Sequence, residues 1–408
     1  MLGEIYILYG LKTMMEYMTL GFAEYFKRAD ELLPAGSQIF RREFVLVGEA
    51  SFVTTRDLGP GSAKRMIEAL FEAMPHAVRV MHGCGAGLEY LAAAEADYMT
   101  GDMKGAERNA YAALYRAQPM NQFDIEYMAS AILIRIAVFQ GDYRRAAVVM
   151  ESVDKRFKQF PAPDCGSLCD IAASRFYVPL GQCDKVAQLV AGDADMVKSI
   201  APISRNRGRW VRARCLLQNG RYHELLGYLD QLDAHYKKRC ALSGLIENAV
   251  MRAIAHHYTG DRVQALKAFH ESYLLSYEND IIIHHVEFGK WTRTLIRAAR
   301  AEKNCPIPNE WLDMIYTKAT TYAKRLNVMT QAYEMSTGAR NKRKVNFTRR
   351  EKDVLMGLCQ GLTREEIAQS YGISANAVKA IYPIIYDKLG ATNSLDAVRI
   401  ATSLGLMA

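Results

Sequence analysis

Residues 348–390, TRREKDVLMGLCQGLTREEIAQSYGISANAVKAIYPIIYDKLG, carry the start and stop signals of three short helices. Thr348 and Thr363 each stand three residues before a glutamate, which is the spacing of a capping box. In that motif the threonine oxygen accepts a backbone amide of the first turn, and the glutamate accepts the amide of the threonine. Ser374 suits the N-cap of the third helix. The stretch therefore predicts three closely spaced helices.

A fourth helix follows this stretch, since Asn393 suits its N-cap. Glycines that favour a left-handed stop lie at Gly361, Gly372, Gly390 and Gly405. We predict the helices at roughly 349–360, 364–371, 375–388 and 394–404. Their apolar positions have the spacing of one small core, made of Val354, Leu355, Leu358, Leu362, Ile367, Ala368, Ile373, Val378, Ile385, Leu389, Ala397, Val398 and Ala401. The short connection at residues 371–374 is typical of a helix-turn-helix.

The order of these residues resembles the LuxR-type helix-turn-helix over nearly all of residues 347–405. The matching positions are Thr348-Arg349-Arg350-Glu351, Val354-Leu355, Gly361-Leu362, Glu366-Ile367-Ala368, Ile373-Ser374, Val378-Lys379, Lys388-Leu389-Gly390 and Ala397-Val398. That family binds DNA as dimers, inserts the third helix into the major groove and acts on promoters with RNA polymerase. The resemblance implies double-stranded DNA and RNA polymerase as partners, and a homodimer on DNA.

The same resemblance suggests which residues face DNA. Lys379 matches a position that contacts DNA in the family, whereas Ala380 and Pro383 match base-facing positions but have no side-chain donor. Ala377 and Ile381 also depart from the polar residues that the family prefers, so direct readout of bases should be thin. The other candidates for DNA contact are Asn376, Arg364, Lys388, Arg349 and Arg350.

Pro383 lies well inside the predicted third helix. A proline there removes one backbone amide and costs about 3 kcal/mol or more, and it also disfavours helical angles at the preceding Tyr382. We expect either a kink near residues 379–383 or a third helix that ends early.

Positive charge is concentrated near the C-terminus. Residues 340–408 hold eleven Lys and Arg against six Asp and Glu, which gives +5 of the net +8 of the chain. A phosphate-binding surface needs such charge. The basic run of Arg340, Lys342, Arg343 and Lys344 is interpreted either as phosphate-contacting or as a linker kept soluble by its charge.

Upstream, glycines recur about every 40 residues, at Gly21, Gly61, Gly101, Gly141, Gly181, Gly220 and Gly260. Five and nine residues after each glycine stands an apolar residue, with Asp30 as the exception, and apolar residues four apart define one buried helix face. The repeat unit is therefore a helix, a turn and a helix. A period near 40 of helix pairs predicts an α-solenoid, so the fold class is all-α.

This upstream portion resembles tetratricopeptide-type arrays in the form found in the sensor region of MalT-like regulators. Armadillo-like helix pairs remain an alternative. We expect a helical-repeat sensor or interaction domain at 1–337, a basic linker at 338–346 and the helix-turn-helix domain at 347–408. The array begins without a polar capping segment, so a further domain is expected upstream. The sequence lacks the phosphate-loop motif G-x-x-x-x-G-K-[ST], and no ATP binding is expected.

The sequence of the repeat domain does not identify the ligand or protein partner that the domain binds. A run of Arg205, Arg207, Arg209, Trp210 and Arg212, continued by Arg214, could clamp a carboxylate or phosphate, but we favour a solvated helix face. The histidines and scattered cysteines do not have metal-ligand spacing, and we expect reduced thiols, no metal and no cofactor. The sequence contains no set of Ser, His and Asp that would suggest an enzyme. The sequence shows neither a membrane span nor a signal peptide, and we expect a cytoplasmic protein.

Two hypotheses about function follow. In the first, the chain is a transcription regulator whose repeat domain senses a ligand or protein partner and controls the helix-turn-helix. In the second, it is an interaction scaffold whose helix-turn-helix has lost sequence-specific DNA binding, which Ala380, Pro383 and the apolar pair Ile381-Tyr382 favour.

Overall fold

The fold is all-α, as predicted. The computed structural model describes residues 1–16, 21–40, 61–159, 165–186, 205–238, 241–338, 347–389, 391, 393–403 and 406, and every regular element within these residues is a helix. None of the helices in these ranges is both long and apolar enough to cross a bilayer.

The structure describes twelve α-helices up to residue 277. They are α1 (Leu2–Glu16), α2 (Phe22–Leu32), α3 (Ser62–Val80), α4 (Leu88–Thr100), α5 (Met103–Ala117), α6 (Phe123–Gln140), α7 (Tyr143–Gln159), α8 (Cys165–Tyr177), α9 (Arg205–Gln218), α10 (Tyr222–Lys238), α11 (Leu242–Thr259) and α12 (Arg262–Tyr277). The later ones are α13 (Ile283–Val286), α14 (Lys290–Ala301), α15 (Asn309–Thr337), α16 (Arg349–Cys359), α17 (Arg364–Ser370), α18 (Ala375–Leu389) and α19 (Ser394–Ser403).

The glycines of the 40-residue period lie at turns. From Gly61 to Gly260 their φ angles are between 66° and 92°, a left-handed region that glycine enters without a Cβ clash. Gly21 differs, with a φ of −76°. Aspartates that follow two of the glycines cap the next helix: Asp102 accepts the amide of Gly105 at 3.0 Å, and Asp261 accepts that of Gln264 at 3.0 Å. At these two positions the glycine therefore lies at the end of one helix and the aspartate caps the next.

Helices in the repeat region pack mainly against their neighbours along the chain, as in the pairs α1–α2, α4–α5 and α11–α12. The apolar residues five and nine positions after the glycines line these contacts, and Ala106, Ala110, Leu225 and Leu229 are all buried. Asp30, the exception in the pattern, instead bonds His76 with 2.7 Å between its Oδ2 and the ring Nδ1. Packing between sequence neighbours is what a repeat array requires.

The described residues divide into two compact units. The first comprises residues 1–138 and 144–284, and the second comprises 139–143 and 285–408. Helices α14 and α15 thus belong to the same unit as the four C-terminal helices. This division differs from the domain boundaries expected from the sequence, which stay a prediction.

Candidate nucleic-acid interface

The two predicted capping boxes begin α16 and α17. At the first, the Thr348 amide donates to Glu351 Oε2 at 2.8 Å, and the Glu351 amide donates to Thr348 Oγ1 at 3.3 Å. At the second, the Thr363 amide donates to Glu366 Oε2 at 2.7 Å. The backbone hydrogen bond from Thr363 lowers the pKa of the Glu366 carboxyl. Both predicted capping boxes are confirmed, and α16 and α17 begin at the residues that the sequence indicates.

The third and fourth helices begin at the predicted caps as well. Ser374 Oγ accepts the Ala377 amide at 3.1 Å, and Asn393 Oδ1 accepts the Asp396 amide at 2.8 Å. Gly361 and Gly372 have positive φ angles of 77° and 62° and end α16 and the turn after α17. Gly390 and Gly405 lie outside the described residues. These caps fix where α18 starts, and with it the position of the side chains that the family turns toward DNA.

A single core holds the four C-terminal helices together. Most of its predicted members are buried, and Leu362, Ile373 and Val398 are partly buried against them. The core also contains Ala391 and Ile400, which the sequence reasoning missed. The signal of Ala391 was weak because it follows the end of α18 and lies outside any helical periodicity.

Helix α18 runs without interruption from Ala375 to Leu389, with Pro383 inside it. Of the two alternatives, a third helix that ends early is therefore wrong, and a kink near residues 379–383 stays a prediction. Val378 lies before the proline, and Ile385 and Leu389 lie after it, and all three are buried in the same core. Apolar packing on both sides of Pro383 offsets the lost backbone hydrogen bond and keeps both halves helical.

The N-terminal half of α18 presents several of the predicted DNA-facing residues to solvent. Asn376, Lys379 and Ala380 are exposed, and Pro383 is half-buried. Arg349 and Arg350 are exposed in the first turn of α16. These positions leave the cationic groups of Lys379, Arg349 and Arg350 accessible to a phosphate backbone.

Two other predicted DNA-contacting cations take part in ion pairs within the domain. Arg364 is exposed and pairs with the adjacent Glu365 at 2.8 Å. Lys388 is half-buried and pairs with the capping carboxylate of Glu351 at 2.5 Å. Lys388 therefore stabilises the start of α16, and its part in DNA binding stays a prediction. The basic run at Arg340, Lys342, Arg343 and Lys344 lies outside the described residues.

Asp387 in α18 is a charged residue that the sequence reasoning did not single out. Its carboxylate accepts hydrogen bonds from Arg293 Nη2 at 2.6 Å, from Thr294 Oγ1 at 2.9 Å and from Arg297 Nη2 at 3.1 Å. These three residues lie on α14, within the same compact unit. Burial lowers the pKa of the Arg297 guanidinium, but the negative charge of Asp387 together with the hydrogen bonds to Tyr316 and Asp387 outweighs burial and raises this pKa overall. We call Asp387, Arg293, Thr294 and Arg297 the Asp387 cluster.

From Arg209 to Arg214 the arginine-rich run of the first unit is not a solvated helix face, so that interpretation is wrong for this part of the run. Trp210 is buried with the guanidinium carbon of Arg175 3.6 Å from its ring centroid. The guanidinium carbon of Arg212 lies 4.7 Å from the Tyr228 ring centroid, and Arg209 is half-buried. Arg205 and Arg207 begin α9, and their side chains lie outside what the structure describes. Arg212 and Trp210 are thus each covered by a side chain of a neighbouring helix, Tyr228 and Arg175 respectively, because guanidinium groups stack on aromatic rings.

Arg214, at the end of this run, is part of a buried polar network. Its Nε donates to Glu247 Oε1 at 2.5 Å, and both side chains are less than a tenth exposed. Ser243 Oγ lies 2.7 Å from His284 Nε2, and His284 Nδ1 lies 3.6 Å from Glu247 Oε2. The sequence reasoning found no such Ser and His set. Because all of these side chains are buried, the network explains how α9 and α11 pack and offers no open site for a substrate.

The comparisons with known proteins agree with this geometry. The family described as bacterial regulatory proteins, luxR family, matches residues 345–401, a segment that contains both capping boxes, α18 and the buried core. Comparison with curated proteins gives no match. Residues 345–401 therefore form a LuxR-type helix-turn-helix domain, and with it the chain carries the DNA-binding domain of a transcription regulator.

Proposed function

We propose that the chain is a transcription regulator that binds double-stranded DNA through α18 and in which the helical-repeat region senses a ligand or protein partner and controls that binding. The observation that carries the proposal is the LuxR-type domain with Lys379 exposed on its third helix. RNA polymerase is the proposed protein partner at a promoter, and the DNA-bound form is proposed to be a homodimer. These last two points rest on the family resemblance alone.

The exposed polar residues divide into those that would position the protein on DNA and one that could read bases. Lys379, Arg349 and Arg350 would contact phosphates, and such contacts position a protein without selecting a sequence. Asn376 is exposed on α18 and can pair with the edge of an adenine. Ala380 and Pro383 offer only apolar contact. Binding should therefore depend strongly on phosphate charge and only weakly on base identity.

The repeat region is the proposed place for the signal. Arg209 and Arg212 are only half-buried, and with Trp210, Arg205 and Arg207 they are the proposed contact for a ligand that carries a carboxylate or phosphate. The Arg212 guanidinium, which stacks on the Tyr228 ring, supports this assignment, because planar cations recognise such anions with two parallel hydrogen bonds.

Fluorescence anisotropy of the full chain on mixed-sequence duplex DNA over a salt series tests the proposal. We expect affinity to fall steeply with salt, and Lys379→Ala to weaken binding and to make the slope of log affinity against log salt shallower by about one unit. The matched control is Lys267→Ala, which removes an exposed lysine from α12 in the other unit and should leave the slope unchanged. An equal effect of both variants would contradict a specific role of Lys379.

The second candidate function is an interaction scaffold. Ala380, the half-buried Pro383 and the exposed Ile384 favour it, because these residues offer little hydrogen bonding to base edges. The same titration separates the two functions. If neither the wild type nor any variant binds DNA at the lowest salt, the scaffold becomes the better description.

A further inference from the structure

The side of α18 that carries the predicted DNA contacts also carries Asp387. At about 100° per residue, Asp387 comes back to within about 20° of Asn376, eleven residues earlier. By the same geometry Ala380 and Pro383 lie on this side, whereas Val378 and Ile385 point to the opposite side and fill the core. Asp387 is thus placed on the groove-facing side of the helix and not on the side that packs within the domain.

Although it lies on that side, Asp387 is only 4% exposed. The residues that cover it come from α14, which packs against α18. Arg293 and Arg297 donate to its two oxygens, Thr294 adds a third donor, and Arg297 Nη1 also lies 3.5 Å from the Pro383 carbonyl oxygen. The partners of this carboxylate are therefore drawn from outside the helix-turn-helix.

DNA cannot use the C-terminal half of this face, around Pro383 and Asp387, while α14 covers it; Asn376 and Lys379 near the start of α18 stay exposed. The major groove is about 12 Å wide and admits one helix, and a helix with its side chains is about 10–12 Å across. Electrostatics also favours contact of α18 with α14 over contact with DNA. The Asp387 carboxylate on the groove-facing side would repel phosphates, whereas Arg293 and Arg297 neutralise its charge. The two possible partners of this face, the arginines of α14 and the phosphates of DNA, carry charges of opposite sign.

We infer that α14 and DNA compete for the same face of α18, and that the Asp387 cluster sets the balance between them. This inference rests on the proposed DNA-binding function. The structure corresponds to the closed state, in which the C-terminal half of the groove-facing side is occupied. A ligand or partner that binds better when α14 is released would raise DNA affinity by shifting the population toward the open state.

The test measures DNA affinity of full-length variants by anisotropy at one low salt concentration. Arg293→Glu/Arg297→Glu places two more carboxylates beside Asp387 and should release α14. We expect its DNA affinity to rise by about tenfold, within the usual range of coupling between two binding events, even though the chain loses positive charge. If instead these arginines contact DNA, affinity falls.

The matched control is Lys290→Glu/Arg300→Glu, which makes the same charge change on the same helix. Lys290 lies over the Trp291 ring, and Arg300 pairs with Asp313. The control should not raise affinity. Adding Asp387→Arg to Arg293→Glu/Arg297→Glu restores an attractive pair with reversed charges, and hydrogen exchange of residues 290–301 without DNA, faster in the double variant, should slow again toward wild type. Exchange that stays fast in the triple variant would overturn the role of the pair.

Hydrogen exchange of the unmodified protein keeps the inference testable if a variant fails to fold. Saturating DNA should increase exchange of the amides in residues 290–301, because α14 leaves α18; unchanged or slower exchange would overturn the inference. If the wild type binds with a steep salt slope but Arg293→Glu/Arg297→Glu binds no better than its control, only the competition is refuted. If no protein binds, DNA binding itself is refuted.

Discussion

Each compact unit contains a buried pair of arginine and carboxylate, and the two pairs differ in what they hold together. In the first unit, Arg214 and Glu247 join α9 to α11, and their side chains are 9% and 6% exposed. In the second, Asp387 joins the helix-turn-helix to α14, and the side chain of Arg297 is 33% exposed. The same chemistry thus fixes repeat packing in one place and covers the proposed DNA-binding face in the other. The two pairs are distinguished by whether another molecule can take the place of the helix that carries the arginine.

The largest expected effect of breaking either pair is that of Glu247→Ala. It leaves Arg214 charged in a buried position, and removal of one partner from a buried pair costs about 3–5 kcal/mol. Urea denaturation followed by circular dichroism measures the loss. Glu224→Ala is the control, because it removes the partner of Arg221 in an exposed pair and should cost less than about 1 kcal/mol. Equal losses would mean that burial of Arg214 does not decide its energetics.

Asp387→Ala should destabilise the chain less, by about 1–3 kcal/mol. Arg297 is partly exposed and can turn to water, and Arg293, although only 4% exposed, reaches water once α14 is released from α18. Unlike Glu247→Ala, this variant should also raise DNA affinity in anisotropy. The control is Asp313→Ala, which removes the exposed partner of Arg300. A loss as large as that of Glu247→Ala with unchanged DNA affinity would make the Asp387 cluster a second packing pair.

The smallest effect is expected from the capping boxes, which are local to one helix. Thr363→Ala should cost about 1 kcal/mol, since it removes the acceptor of the Glu366 amide. Thermal unfolding of Thr363→Ala, with Thr363→Ser as the conservative control, measures this. A serine variant that is as unstable as the alanine variant would show that the hydroxyl is not what matters at this position.

Sequence alone was sufficient wherever the signal was local. The capping residues Thr348 and Thr363 form their bonds within three residues, and the helices they start end within one residue of the prediction. The turn glycines and the apolar spacing also depend only on near neighbours, so the repeat pattern and most of the small core could be predicted. The match to the luxR family rests on the same closely spaced residues.

Contacts between distant residues could not be predicted. Arg293 and Asp387 are 94 positions apart, and Arg214 and Glu247 are 33 apart, so neither pair has a sequence signature. The interpretation of the described part of the arginine-rich run as a solvated face failed for this reason, since its partners come from other helices. At Pro383 the backbone cost was visible in the sequence, but the packing of Ile385 and Leu389 that offsets it was not.

The grouping of α14 with the C-terminal helices bears on how this DNA-binding module could be moved to another protein. A graft of residues 285–408 transfers Asp387 together with Arg293, Thr294 and Arg297, and with them the means to cover its own groove-facing helix. A graft that starts at Phe347 transfers Asp387 without these partners and places an unneutralised carboxylate beside the phosphates. Two hybrid regulators that differ only in this junction would carry the same DNA-contacting residues but a different charge at the DNA surface.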